Sequence, residues 1–133
     1  RYKASRLEHF LKKDEKTNIV KVVPRGEDGA KQAVLEYKTL NTIDKVSLME
    51  IKILTGRSHQ IRVQMSQIGC PVFGDVKYNG DSLAKGHNLA LWAYELSFIH
   101  PTTKKPMLFR CIPPVDKTPW NVFEKDILLI QNK

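Results

Sequence analysis

A dense group of hydrogen-bond donors occupies residues 54–62, which read Leu-Thr-Gly-Arg-Ser-His-Gln-Ile-Arg. Arg57, His59, Gln60 and Arg62 place two guanidinium groups, an imidazole and an amide within six positions. Such a set is poorly suited to an apolar core, because buried polar groups need partners. Guanidinium groups bind carboxylates and phosphates through paired hydrogen bonds. The pattern therefore predicts a site that holds an anion.

These donors lie at the start of a predicted helix. Ser58 is the predicted N-cap, because its hydroxyl can accept a backbone N–H of the first turn, and Gly69 and Pro71 would end the helix. The apolar stripe would contain three residues at helical spacing, Ile61, Met65 and Ile68. The opposite flank would contain three polar residues, His59, Arg62 and Ser66. The electropositive N-terminal end of a helix adds to the attraction for anions.

The elements around this helix predict an α+β fold with a mainly antiparallel mixed sheet and helices packed on it. Alternating residues predict strands at 18–23, 33–40, 47–54, 89–98 and 107–112, and the end of another at 2–5. A short turn joins the second and third of these runs and predicts a β-hairpin. Residues 6–17 are polar and charged, so we expect a turn or exposed connection there. A last helix beginning near Pro119 would pack its apolar side on the sheet through Trp120, Phe123, Ile127 and Ile130.

The composition is that of a basic globular protein, and residues 1–133 suffice for a single domain. The 22 Lys and Arg exceed the 14 Asp and Glu, which gives a formal net charge of +8, and 41% of residues are hydrophobic. Positive charge favours a polyanionic partner such as RNA, because each neutralised phosphate releases counterions. Many basic soluble proteins bind no nucleic acid, so charge alone leaves both readings open. No stretch is long and apolar enough to span a membrane.

The two cysteines, Cys70 and Cys111, form no CxxC pair. We interpret them as reduced thiols of a cytoplasmic protein. A metal site would have to draw on four residues without recognisable ligand spacing, Cys70, Cys111, His59 and His87. We therefore expect no metal.

Four segments, in order and at fitting separations, resemble RNA pseudouridine synthases of the RluA type. Residues 55–62 resemble the family's TGR-x-HQIR motif, and residues 69–78 (Gly-Cys-Pro-Val-Phe-Gly-Asp-Val-Lys-Tyr) resemble its G-x-P-I-x-GD-x-x-Y motif. Residues 91–101 end in Phe-Ile-His-Pro, like a third motif, and Tyr2-Lys3-Ala4 fits the family's Tyr-x-Ala strand. The resemblance covers essentially the whole chain. The family usually has His at the positions of Gln64 and Trp92, a difference that concerns substrate preference.

The resemblance implies conversion of uridine to pseudouridine in rRNA or tRNA, without metal, nucleotide or redox cofactor. The target uridine must leave its stack to be reached. The family's nucleophilic aspartate lies in an Arg-Leu-Asp segment before the Tyr-x-Ala strand, and this sequence contains no such segment. We therefore expect these residues to be the C-terminal part of a catalytic domain, inactive without its missing N-terminal half. Asp75 belongs to a different motif and is predicted to fix a loop.

The same resemblance assigns roles to individual side chains. Arg62 would pair with the nucleophilic aspartate, Tyr2 would stack under the extruded uracil, and Ile61 would form an apolar wall. Three residues would contact RNA phosphates or brace the loop, namely Arg57, His59 and Gln60. Lys77 would add attraction for phosphate.

The residue types alone also permit purely structural roles for these side chains. Arg62 could be a solvated residue on a helix face, His59 a capping group and Tyr2 sheet filling. The aromatic face from Trp92 to Phe98 fits a core better than a base-stacking platform. Two other functions are also open: a non-catalytic RNA-binding module of the same fold, and a basic protein-interaction domain. An interrupted sheet at residues 2–4 would favour self-association through its exposed edge.

Overall fold

The computed structural model describes residues 4–43, 45–78, 89–99, 101–110 and 113–131. The chain divides into two compact units, the first ending at Leu89 and the second beginning at Ala90. The first contains the strands Ala4–Asp14 (β1), Ile19–Val23 (β2), Lys31–Ile43 (β3) and Val46–Ile53 (β4), and the helix Gln60–Gln67 (α1). The second contains the strands Glu95–Ile99 (β5) and Pro106–Arg110 (β6), the 3-10 turn Trp120–Phe123 and the helix Glu124–Gln131 (α2). The single-domain organisation stays a prediction.

The four strands of the first unit form one sheet in the order β2-β1-β3-β4, and every neighbouring pair is antiparallel. The predicted α+β class and antiparallel sheet are confirmed. The predicted hairpin is β3–β4, in which Leu35 pairs with Ile53 and Ile43 with Val46. A register shift between Thr39 and Asn41 marks a bulge, where one strand carries an extra residue.

β1 corrects the expectation of a turn or connection at residues 6–17. Most of this segment is a strand that pairs with β2 through Phe10–Asp14 and with β3 through Ala4–Leu11. Leu11 faces inward and is buried, whereas Arg6, Glu8 and Lys12 on the other face are exposed. Because one face is charged and the other includes polar residues, the alternation is a weak sequence signal.

The core of the first unit lies between the sheet and α1. Leu11, Val20 and Ala33, one from each of three adjacent strands, form a buried cluster with Val63 of α1. Two partly buried side chains, Val22 and Tyr78, pack against this cluster. Burying this apolar face is what fixes α1 on the sheet.

α1 begins at Gln60, one residue later than a cap at Ser58 would place its start. Its N-cap is His59, which has a left-handed backbone (φ 53) and makes no capping hydrogen bond through its side chain, so the assignment of Ser58 as N-cap was wrong. The predicted end is confirmed, since Gly69 has a φ of 85 and its N–H donates to the Ser66 carbonyl. The buried side of the helix differs from the predicted stripe and contains Gln60, Val63, Gln64 and Met65.

In the second unit β5 and β6 pair antiparallel, and Arg110 Nε donates to Glu95 Oε1 at 2.8 Å. β5 is shorter than the strand predicted at 89–98, and residues 111–112 of the other predicted strand lie outside the described residues. Phe123 and Ile127 are each 2% exposed, which confirms the middle of the predicted apolar stripe. Trp92 is 41% exposed, in contrast to the core position expected for it.

None of the helices in the described ranges has the length and apolar character needed to cross a membrane.

Candidate functional site

The donor-rich segment begins with a tight corner around one residue of β3. β4 ends at Ile53, which pairs with Leu35, so Val34 of β3 has no partner residue within β4. The residues that follow β4 supply the hydrogen bonds to Val34 instead. The Leu54 N–H donates to the Val34 carbonyl at 2.9 Å, and the Thr55 hydroxyl accepts the Val34 N–H at 2.9 Å. Gln60, 4% exposed, donates through Nε2 to the same carbonyl at 3.0 Å and accepts the Thr55 hydroxyl at 2.8 Å. The Gln60 amide therefore locks the corner to the sheet.

Arg57 belongs to the same corner. Its backbone N–H donates to Gln60 Oε1 at 3.0 Å, and its Nε donates to the carbonyl of Gln32 in β3 at 2.8 Å. Of the two roles open to Arg57 and Gln60, these contacts favour bracing. Arg57 remains solvent-exposed, so its other N–H groups are accessible.

Arg62 meets Asp75 in a bidentate ion pair. Nε donates to Oδ2 at 3.0 Å and Nη2 donates to Oδ1 at 2.9 Å. The Asp75 side chain is 0% exposed, and that of Arg62 is 21% exposed. Asp75 Oδ1 also accepts the backbone N–H groups of Lys77 at 3.1 Å and Tyr78 at 3.2 Å. Asp75 thus fixes the loop that follows it, as predicted, and orients Arg62.

The pair is charged at neutral pH. Burial raises the pKa of Asp75, but the hydrogen bond and charge of Arg62 and the two backbone N–H donors outweigh it and leave that pKa below its ordinary value. The hydrogen bond to Asp75 raises the pKa of Arg62. The two contacts use the Nε and Nη2 side of a guanidinium with five N–H donors. The Nη1 side can therefore bind a second acceptor.

Tyr78 connects this ion pair to the rest of the unit. Its hydroxyl accepts the N–H of Val20 in β2 at 3.1 Å and lies 2.6 Å from His59 Nδ1. Its carbonyl accepts the hydroxyl of Ser66 at 2.7 Å, and the Cζ of Arg62 lies 5.1 Å from its ring centroid, a cation–π distance. Tyr78 therefore holds α1, β2 and the loop after Asp75 in one arrangement. Sequence reasoning used Tyr78 only as the last residue of a motif.

His59 is a neutral hydrogen-bonding group at pH 7. Burial lowers its pKa, and the positive charges of Arg62, Lys77 and Lys13 lower it further. We assign the Tyr78 hydroxyl as donor to His59 Nδ1, which gives the hydroxyl hydrogen an acceptor while the oxygen accepts the Val20 N–H. This assignment leaves the hydrogen of the imidazole on Nε2, on the other side of the ring.

The remaining predicted site residues are Lys77, Ile61 and Tyr2. Lys77 is exposed, and its Nζ donates to the carbonyl of Asn18 in the β1–β2 turn at 2.7 Å. Ile61 is partly buried on the first turn of α1, and Tyr2 lies outside the described residues. Arg62, His59 and Lys77 thus gather around Tyr78, whereas Arg57 and Gln60 brace the corner. Lys13, whose charge acts on His59, was missed because it lies in the segment 6–17, for which we expected a turn or exposed connection.

Gln64, which stands where the family usually has His, lies in the core at 0% exposure. Its Nε2 donates to the Ala33 carbonyl at 3.1 Å and lies 2.9 Å from His9 Nδ1. Burial lowers the pKa of His9, which keeps its ring neutral and able to accept this hydrogen bond. Gln64 Oε1 has no partner among the described residues.

A metal site has no counterpart in the described part of the chain, where no three His, Cys, Asp or Glu side chains are grouped suitably. His87 and Cys111, two of the four residues considered for such a site, lie outside it.

The fold is shared with two solved human structures. The human RNA pseudouridylate synthase domain containing 1 matches 90% of this chain and 51% of its own, with a TM-score of 0.69 and 23% identity. The human RNA pseudouridylate synthase domain containing 4 matches 94% of this chain and 56% of its own, with a TM-score of 0.68 and 21% identity. At these identities the likeness concerns the fold.

The sequence comparisons define the family. The family profile described as RNA pseudouridylate synthase matches residues 2–67, about half of the chain. An uncharacterized RNA pseudouridine synthase of Mycoplasma genitalium is 43% identical over 81 residues, covering 60% of this chain and 26% of the relative. Ribosomal large subunit pseudouridine synthase D of Zymomonas mobilis is 39% identical over 95 residues, covering 65% and 30%. The chain belongs to the RNA pseudouridine synthase family, and it spans only about three-tenths of these curated relatives.

Proposed function

We propose that this chain is the C-terminal part of the catalytic domain of an RNA pseudouridine synthase, which isomerises uridine to pseudouridine. The reaction breaks the bond between N1 of uracil and the ribose and forms a bond from C5 to the same carbon. The C5 proton is released to water, and N1 takes up a proton. The observation that carries the proposal is the orientation of Arg62, held against Asp75 with its Nη1 side still able to bind. The family membership supports it.

In this proposal Arg62 binds the nucleophilic aspartate, which the missing N-terminal half of the domain supplies. A guanidinium near a carboxylate keeps it ionised and fixes its orientation. The bond to Asp75 prepares Arg62 for this role, because a side chain already fixed loses less conformational freedom on binding. Its 21% exposure supports access from a cleft and argues against a role as a solvated surface residue.

The remaining residues serve the RNA. Tyr2 stacks under the extruded uracil, and Ile61 forms an apolar wall beside Arg62. His59 and Lys77 contact phosphates, and Arg57 and Gln60 keep the corner in shape, with the exposed guanidinium of Arg57 able to reach RNA as well. The role of Tyr2 follows from the motif alone. The other roles follow from the motif and agree with the exposure of Ile61 and with the contacts of Arg57, His59, Gln60 and Lys77.

We propose rRNA or tRNA as the substrate, and the cytoplasm as the location, in keeping with a basic chain whose Cys70 is a free thiol. The sheet also offers an edge. In the described register Ala4–His9 of β1 pairs only with β3, because β2 covers only Phe10–Asp14. An unpaired strand side of this kind favours pairing with another chain. We therefore propose self-association through this edge, measurable by light scattering.

Tritium release tests the function. RNA labelled at C5 of uridine should release tritium to water when incubated with a protein that contains both these residues and the preceding half. Arg62→Met should reduce release by at least about 100-fold, on the scale typical of electrostatic groups in active sites. Arg6→Met is the matched control, because Arg6 lies on the exposed outer face of β1. Release by the 133 residues alone, or an active Arg62→Met protein, would contradict the proposed mechanism.

The alternative function is a non-catalytic RNA-binding module of the same fold. The cations around Tyr78 fit this function equally well, because they would attract RNA whether or not a reaction follows. The two functions differ in what precedes Arg1. A protein with no Arg-Leu-Asp segment there that binds RNA without tritium release would be the binding module.

A further inference from the structure

Lys13 lies on the inner face of the β1–β2 hairpin, the face on which Val20 is buried. In the sheet register Lys13 is paired with Val20, and residues paired in this way project to the same face. Val20 is buried on the inner face and donates its N–H to the Tyr78 hydroxyl. Lys13 itself is exposed. The strand pairing, rather than the loop position expected from sequence, therefore places this side chain on the sheet face against which α1 packs, the helix that His59 caps.

The same hairpin also holds Lys77. The Nζ of Lys77 donates to the carbonyl of Asn18 at 2.7 Å. Asn18 closes the β1–β2 turn with a left-handed backbone (φ 59) and an N–H bond to the Asp14 carbonyl at 2.8 Å. One contact of the Lys77 ammonium is thus fixed, and its two other N–H donors can reach a ligand.

Two carboxylates near these groups, those of Asp75 and Asp14, accept hydrogen bonds from donors outside the cluster of Lys13, His59 and Lys77 side chains. Asp75 is paired with Arg62 and accepts two backbone N–H groups. Asp14 pairs with Ile19 on the outer face of the sheet, and its Oδ1 accepts the Lys16 N–H at 2.9 Å. Burial lowers the pKa of His59, and the positive charges of Arg62, Lys77 and Lys13 lower it further, which agrees with the placement of these cations on the same side of the sheet.

The geometry points to a phosphate subsite formed by Lys13, His59 and Lys77, which binds a phosphodiester of the RNA backbone close to the extruded uridine. The inference deepens the proposed function and depends on it. His59 offers a neutral Nε2–H, and the two lysines offer charge, a combination that suits a phosphate with several acceptor oxygens. Arg62 and His59 both lie within 6 Å of the Tyr78 ring, so the subsite adjoins the residue proposed to hold the nucleophile.

The β1–β2 hairpin thereby gains a function that its sequence did not suggest. It places Lys13 by register and Lys77 by the Asn18 carbonyl, so its position decides whether two cations converge on one phosphate. The backbone is the part of RNA that such groups contact without reading sequence. The subsite should accordingly strengthen binding and register more than base specificity.

The test compares Lys13→Gln with Lys21→Gln in a protein that contains both these residues and the preceding half of the domain. Lys21 is on the same hairpin and also exposed, but it pairs with Lys12 on the outer face. Binding of a fluorescent RNA hairpin with uridines in its loop is measured from 50 to 200 mM salt. Lys13→Gln should lower the log–log salt slope by about 0.7 to 0.9, the value of one phosphate contact, and Lys21→Gln should not. Lys13→Arg should retain the wild-type slope.

The outcomes separate the subsite from the proposed function. If the wild-type chain binds RNA with a steep salt slope and both Gln variants behave alike, the subsite is wrong while RNA binding stands. If the wild-type protein with both halves of the domain shows no salt-dependent RNA binding, the proposed function fails as well. If Lys13→Gln weakens the binding of inorganic phosphate, at an ionic strength matched with chloride, but leaves the binding of RNA unchanged, the ligand is free phosphate and the RNA assignment is overturned. Unchanged thermal unfolding of Lys13→Gln excludes misfolding as the cause.

Discussion

Arg62 on α1 and Asp75 in the following loop form a two-point ion pair, with Nε–Oδ2 at 3.0 Å and Nη2–Oδ1 at 2.9 Å. The pair closes a segment of the chain that Gly69 and Gly74, both with positive φ, bend back along the helix. The guanidinium of Arg62 is therefore held in one orientation by Asp75 before any ligand binds. This relationship links the stability of the loop to the orientation of the residue proposed to act on the nucleophile.

Removing the carboxylate should destabilise the first unit strongly. Asp75→Ala leaves Arg62 partly buried without its partner and leaves the Lys77 and Tyr78 N–H groups without their acceptor. Loss of one partner of a buried pair costs about 3 kcal/mol, and we expect an effect of that size in urea unfolding. The control is Glu36→Ala, whose 3.9 Å contact with Arg6 is solvent-exposed and should contribute less than about 1 kcal/mol. Equal effects of the two substitutions would contradict a structural role for the pair.

Acid should remove the contribution of Asp75 at low pH only. The pKa of Asp75 in the folded protein is below its ordinary value of 3.8, so the unfolded chain takes up the proton first as pH falls. The stabilisation is therefore complete well above pH 3.8 and is lost as pH falls toward the folded pKa. The difference in unfolding free energy between wild type and Asp75→Asn, measured by urea titration, should be constant from pH 5 to 7 and shrink below pH 4. A difference that shrinks between pH 7 and 5 would assign the effect to another group.

The sequence predicts the β3–β4 hairpin well because its two strands alternate clearly, and it predicts the end of α1 because Gly69 permits a left-handed turn. It fails for β1, where charged residues such as Arg6 and Lys12 cover the outer face and Lys13 lies on the inner face. A strand with polar residues on both faces looks like an exposed connection. The failure concealed the functional candidate Lys13.

The buried face of α1 was misjudged for a related reason. Glutamine is usually exposed, yet Gln60 and Gln64 point into the sheet because they supply hydrogen bonds to the Val34 and Ala33 carbonyls. The spacing of apolar residues, from which the buried face of α1 was predicted, carries no information about such hydrogen bonds. The Arg62–Asp75 pair is also hidden, since both residues lie in recognisable motifs but their contact depends on the path of the loop between them.

The Gln64–His9 contact should appear as an energetic coupling. Gln64→Ala removes the donor to the Ala33 carbonyl and to His9 Nδ1, and should cost about 2 kcal/mol, because it leaves buried acceptors unsatisfied. His9→Ala should cost less in the Gln64→Ala background than in the wild type, by about 0.5 to 1 kcal/mol, because the partner is already gone. Urea unfolding of the four proteins gives the cycle. Strictly additive losses would mean that the two side chains merely lie side by side.

The direction of one pKa change should decide how Tyr78 and His59 share their hydrogen. If the Tyr78 hydroxyl donates to Nδ1, it stabilises the neutral imidazole, and Tyr78→Phe should raise the pKa of His59 toward its ordinary value of 6.5. If Nδ1–H donates to the hydroxyl instead, the bond favours the charged ring, and the same substitution should lower that pKa. Proton NMR titration of the imidazole signals measures the change, with His9 as the internal control because it contacts Gln64 and not Tyr78. A fall in the pKa of His59 would place its hydrogen on Nδ1 and remove the Nε2–H donor from the phosphate subsite.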